Sequence, residues 1–169
     1  SSAASDVYKR QAFNAEEIGL VGSKALSENQ NLNPVFNNIK ALFNFEMLAT
    51  ESQFGKKTVF MTGDEFSDFD ELINANAVNG LKVYPDPYVG QQLFYRSDNV
   101  NFVKKKIIAH SISTVDMNKA THYHAVNDDI NIVDADNLTN IINNFTKTIE
   151  KLNTKNFQPK YNDKVKYDF

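Results

Sequence analysis

The chain has 169 residues, 41% of them hydrophobic and 12% aromatic, with 18 lysines and arginines against 21 aspartates and glutamates. That length suits one domain, the apolar content can offset the entropy of ordering a chain, and a net charge of −3 offers no basic stripe for nucleic acid. Zero cysteines remove disulfide frameworks, thiolate zinc sites, iron–sulfur clusters and thiol nucleophiles together, and no run approaches the roughly 18 apolar residues of a membrane span.

In chain order, the opening Ser1 to Gln11, SSAASDVYKRQ, carries no periodicity. It resembles the adapter-derived leader of a translated metagenomic fragment, so residues 1–11 are expected to be foreign to the domain. Ala12–Ala15 reads as the tail of a strand that breaks at Glu16-Glu17. Gly19 and Gly22 punctuate a turn, and Ser23–Asn29 reads as a helix. The asparagines at 29, 31, 33, 37 and 38 read as a compositional habit. Ile39–Met47 is the clearest core strand, apolar on both faces as in a covered sheet. Lys57–Thr62 is a further strand. Ser67 can cap a helix to about Val78, Asn79-Gly80 marks a turn, and Leu81–Tyr84 is a strand stopped by Pro85 and Pro87.

Asn99–Lys105 predicts a short helix leading into the buried strand Ile107–Ser113. Asp134–Leu152 predicts a longer one, with Leu138, Ile141, Ile142, Phe145, Ile149 and Leu152 on one stripe and Asp134 or Asp136 as its cap. Residues 153–169 read as a polar tail. Alternation of short apolar runs with helical patterns is the signature of an α/β layer fold.

Three places put acids or imidazoles just beyond strand ends, where a parallel sheet presents its site. In Asn14-Ala15-Glu16-Glu17-Ile18-Gly19-Leu20, two adjacent carboxylates are either solvated or held by a cation, and in extended backbone they face opposite sides. Glu46 ends an apolar strand, where a carboxylate reaches solvent or needs a metal or arginine. In the segment 121–128, His122 and His124 share a face if the backbone is extended, and Asp128 is near enough to orient an imidazole. A surface loop with two solvated histidines is the alternative. His110, inside IIAHSIS, reads as a packed core histidine. Gly19-x-x-Gly22 lacks the lysine of a phosphate loop, and no Gly-x-Ser-x-Gly elbow is present. The remaining donors are oxygen and imidazole, compatible with zinc or another divalent ion.

In this order the three places resemble the zinc-dependent aminopeptidases of metallopeptidase family 28. The text that carries the resemblance is FNAEEIGLVGS (Phe13–Ser23), NIKALFNFEML (Asn38–Leu48), FYRSDN (Phe94–Asn99) and HYHAVNDD (His122–Asp129). The resemblance runs from about residue 12 to 152 and implies the C-terminal part of a catalytic domain. The fold it implies is a three-layer α/β sandwich of the phosphorylase/hydrolase-like, zinc-peptidase type. A mixed, mostly parallel sheet lies between helices and is incomplete at its N-terminal side.

The resemblance further implies Glu16 as the general base, and Glu17, Glu46 and His124 as ligands to two zinc ions. It places Asp128 behind the ligands, and Tyr123, His122 and Asp98 near a peptide-binding cleft. The family's first histidine ligand and bridging aspartate come from a stretch upstream of the glutamate pair that this sequence does not contain. The polypeptide as written is therefore expected to bind zinc weakly and to hydrolyse peptides poorly. Asn99 stands where many members carry histidine, which implies an altered cleft. By the same resemblance the intact protein is exported to the periplasm, the medium or a lipid anchor. A glutaminyl-cyclase-like zinc enzyme and a non-catalytic peptidase-like binding module remain the alternatives, and no oligomeric state is implied.

Overall fold

Short runs of aromatic and β-branched residues supply the sheet of this computed structural model, which describes residues 9–154 and 156–168. The strands are β1 (Leu42–Phe45), β2 (Thr58–Met61), β3 (Lys82–Pro85) and β4 (Ala109–Ser113). Their order is β1-β4-β2-β3. β1 runs parallel to β4 and β2 parallel to β3, while β2 and β4 are antiparallel, so the sheet is mixed and mostly parallel. The helices are α1 (Val21–Glu28), α2 (Asn33–Phe36), α3 (Phe69–Asn76), α4 (Val100–Val103) and α5 (Ala135–Leu152).

Strand alternation sorts the core onto two faces. Val59, Met61, Val83 and Ile112 meet Phe69 and Ile73 of α3 and Ile141, Phe145 and Leu152 of α5. On the opposite face Ala109 and the half-buried Leu42 meet Phe36 of α2, Phe102 and Val103 of α4 and Leu26 of α1. Helices, sheet and helices thus make the expected three layers. Each fully buried side chain of this kind contributes about 1.5–3 kcal/mol.

Local chemistry explains the helix ends. Asp134 caps α5 by accepting from the amide of Asn137 at 3.0 Å. Ser67 accepts from the amide of Phe69 at 3.2 Å and so serves the start of α3. Along α5 the buried stripe runs through Ile141, Phe145 and Leu152, but Ile142 is 52% exposed. It lies one helical step, about 100°, away from Ile141 and off the core face.

Three expectations need correction. Ala12–Ala15 forms no strand: its carbonyls serve the following turn, with Val21 donating to Ala15 and Gly22 to Asn14. β1 is shorter than Ile39–Met47 and sits at the edge of the sheet, leaving Phe45 42% exposed. The covered centre belongs to β4, buried at all five positions. Within 153–169, the segment read as a polar tail packs back onto the domain. Asn162 donates to the Phe66 carbonyl at 2.8 Å, Lys160 to Asp68 Oδ1 at 2.7 Å, and Val165 is buried with Phe102 and Ile107. The Tyr161 hydroxyl accepts from the Ala109 amide at 2.9 Å and donates to the Ile107 carbonyl at 3.2 Å. Single apolar residues in a polar run carry no period, so only the contacts reveal their role. Residues 1–8 of the expected leader lie outside the described residues.

His110 is the packed core histidine expected of it. It has no solvent exposure, and its Nδ1 donates to the Thr62 carbonyl at 2.8 Å. Its bare Nε2 accepts from the Ser67 hydroxyl at 2.9 Å. Burial holds its pKa down to about 4.

Candidate active site

Glu16 and Glu17 ride on a tight turn. Ala15 is left-handed at φ 56°, and the Glu16 carbonyl accepts from the amides of Gly19 and Leu20 at 3.0 and 2.9 Å. A Cβ at position 22 would stand 2.5 Å from the Asn14 carbonyl oxygen, so only glycine lets α1 begin against this segment. α1 is tied to α4 where Asn101 Nδ2 donates to Ser23 Oγ at 2.8 Å, a buried bond. The turn therefore stands on two packed helices.

Glu46 follows β1 directly, and its amide extends the ladder by donating to the Ile112 carbonyl at 3.2 Å. Met47, next in the chain, is left-handed at φ 46°. Its carbonyl accepts from Thr114 Oγ1 at 3.0 Å, and from the Thr114 amide and Ser113 Oγ at 3.3 Å each. These bonds fix the turn that aims the Glu46 side chain. Its carboxylate accepts from the Ser97 hydroxyl at 2.6 Å. Burial raises the Glu46 carboxyl above its ordinary value, the Ser97 and Ser111 hydroxyls pull it down, and the charge of Asp98 pushes it up again.

Between 120 and 128 the chain turns repeatedly, with Tyr123 donating to Ala120, Ala125 to His122 and Asp128 to Ala125. The segment is not extended, so His122 and His124 do not share a face. His124, left-handed at φ 56°, places Nε2 3.1 Å from Glu17 Oε2. The Tyr123 ring stacks on its imidazole at 4.0 Å between centroids. His122 instead lines an open cleft with Glu51, Ser52, Asp116 and Lys119. Asp128 is exposed, and among the described residues its carboxylate bonds to neither imidazole.

Glu16 is the electrostatic centre of the group. Burial raises its carboxyl, the charges of Glu17, Glu46 and Asp98 raise it further, and His124 opposes them. The fold therefore gathers Glu16, Glu17, Glu46, Asp98 and His124 within electrostatic reach of one another. Left-handed residues at 15, 47 and 124 adjoin or carry these side chains, and such strain persists where surrounding structure over-determines it.

The donors suit a divalent cation, and Asp98 supports one independently. It is buried, and its Oδ1 has no hydrogen-bond partner. An orphaned carboxylate oxygen beside Glu16 and Glu46 is a surplus of negative charge that a cation would compensate. The cage is partial: among the described residues no three histidine, aspartate or glutamate side chains converge closely enough to hold an ion. Glu17 and His124 pair with each other, while Glu46 faces Ser97.

Asn44, Ser97 and Ser111, not singled out in the sequence, form with Asn99 a buried polar network behind Glu46. One signal was available: Asn44 interrupts the apolar run LFNF at an inward position. Asn99, expected to alter a cleft, is fully buried in this network instead.

A model of Peptidase family M28 matches residues 11–149. No curated protein matches the chain by sequence. Among solved structures, the zinc aminopeptidase BSAP from Bacillus subtilis is similar with TM-score 0.64 and 21% identity, over 92% of this chain and 36% of that one. The aminopeptidase from Aneurinibacillus sp. strain AM-1 gives 0.63 and 19% over 90% and 34%. The Legionella pneumophila LapA aminopeptidase gives 0.59 and 20% over 81% and 36%. The chain spans about a third of the length of these structures.

Proposed function

The chain belongs to peptidase family M28, and from that premise we propose that it forms part of the catalytic domain of a zinc-dependent aminopeptidase, releasing N-terminal residues from peptides. The observation that carries this reading is the contact of Glu17 with His124, with Glu16, Glu46 and Asp98 around it. It joins the acidic turn to the histidine turn across the far end of the sequence.

Glu17, Glu46 and His124 would hold zinc, which when bound supplies a Lewis acid for the scissile carbonyl and a more acidic water. The residues of the chain do the rest. Glu16, raised toward neutrality by burial and its acidic neighbours, is suited to take a proton and return it to the leaving amine. Tyr123 fixes the plane of the His124 ring by stacking on it. Asp98, buried with an unpartnered Oδ1, would add negative charge near the ligands and so favour a bound cation. Work outside the cytoplasm is part of the same proposal and rests on the family alone.

The test is a zinc titration of the 169-residue protein by calorimetry. Binding is expected to be weak, because the chain supplies three of the five ligands implied by the family resemblance. Glu17→Gln and His124→Ala should each weaken it by at least about tenfold. His122→Ala, on the separate cleft, should leave it unchanged. Equal zinc affinity in all four proteins would sink the assignment.

A further inference from the structure

We propose that Asn44 is a positioning residue: it sets the direction of a buried hydrogen-bond relay so that Ser97 presents its hydroxyl hydrogen to Glu46. Its purpose rests on the reading of Glu46 as a metal ligand; its existence does not.

The relay follows from counting hydrogens. A carboxylate only accepts, so the 2.6 Å bond between Ser97 Oγ and Glu46 Oε2 uses the single hydrogen of Ser97. Ser97 can then only accept from elsewhere, and Asn44 Nδ2 donates to it at 2.8 Å. The second hydrogen of the same nitrogen goes to Ser111 Oγ, also at 2.8 Å. The single hydrogen of Ser111 lies between Asn99 Oδ1, at 3.1 Å, and the Glu46 carboxylate, whose pKa it lowers, and Asn99 Nδ2 donates to the Phe94 carbonyl at 3.0 Å.

Hydrogens therefore run outward from Asn44 in both directions. With its amide reversed, the Asn44 oxygen would compete with Glu46 for the Ser97 hydrogen, and one of the two acceptors would face a serine lone pair. All four supporting residues are buried, so water cannot repair a reversed link.

An isosteric reversal tests the relay. Aspartate at position 44 keeps the shape of asparagine but only accepts, so it competes for both serine hydrogens. Urea unfolding at pH 7 would compare wild type, Asn44→Asp, Glu46→Gln, the double variant and Asn44→Asp combined with Glu46→Met. Asn44→Asp should lower the folding constant by about 100-fold, and Glu46→Gln alone by less than about tenfold. On the Asn44→Asp background, Glu46→Gln should restore at least about tenfold more than Glu46→Met, which removes the same repelling charge but brings no donor, because only the glutamine amide can donate to the Ser97 lone pair.

The same change in both backgrounds from Glu46→Gln, or an equal gain from Glu46→Met, would overturn the relay. If Asn44→Asp does not fold, folding of the double variant is the rescue, and its failure overturns the proposal as well. Zinc titration of Glu46→Gln separates the other question. Affinity equal to wild type would remove Glu46 as a ligand, while the unfolding cycle would still decide the relay.

Discussion

Glu46 sits at the end of β1 among buried donors, whereas Glu17 lies on an exposed turn against a single imidazole. The first carboxylate is held by the interior: a strand ladder, three bonds on the Met47 carbonyl and a hydroxyl oriented from behind. The second is held by a surface contact with the His124 ring, the two side chains being 69% and 56% exposed. Burial makes a position costly to disturb, and exposure makes it cheap to alter yet dependent on its partner for aim. Disruptions behind Glu46 should therefore weaken the fold, while disruptions at Glu17 should weaken binding and leave the fold intact.

The largest effect should come from the buried side, at His110. Its folded pKa of about 4 lies below the ordinary 6.5, so the unfolded chain takes up the proton first. Stability from the neutral ring is present above pH 6.5 and lost as pH falls through 4. At about 1.36 kcal/mol per pH unit, the loss approaches roughly 3 kcal/mol. The carboxyls of Asp86, Glu46 and Glu16, raised by burial, titrate with the opposite sign over the same range. The His110 contribution is therefore read as the difference between wild type and His110→Gln in denaturant unfolding at pH 7 and at pH 4.

Ser97→Ala comes next. It leaves the Glu46 carboxylate and one Asn44 hydrogen without partners in the interior, at a cost of about 2 kcal/mol in chemical denaturation. Gly22→Ala tests the scaffold under the exposed pair. Its Cβ must push back the Asn14 backbone, for a loss of about 1–2 kcal/mol and a weaker zinc response. Glu17→Gln should be the mildest, changing unfolding free energy by less than about 0.5 kcal/mol. A loss as large as that of Ser97→Ala would erase the contrast between the two regions.

Legibility followed the same division. The apolar runs at 57–62 and 107–113 and the 3.6-residue stripe of α5 were readable because burial of a whole face imposes a period. Glu16, Glu17, Glu46 and His124 were singled out through the family resemblance, and the fold brings these four within electrostatic reach of one another. Asn44 was not, since in an asparagine-rich chain it looks like composition, and Asn99 was assigned to a cleft when it is buried. Ser97 and Ser111 are ordinary residues until their partners are known. His122 was misplaced beside His124 because the segment turns repeatedly instead of running extended.

The amino-acid sequence by itself determined the layer class, the family and the residue types a cation could use, because these depend on local pattern and side-chain chemistry. Only the tertiary structure decided that β1 is an edge, that Phe157, Tyr161 and Val165 close the domain from the far end, and that Asn44 aims Ser97 at Glu46. Those facts are contacts between distant segments. Hydrogen-bond direction in particular belongs to a set of side chains together, and no residue in the set carries it alone.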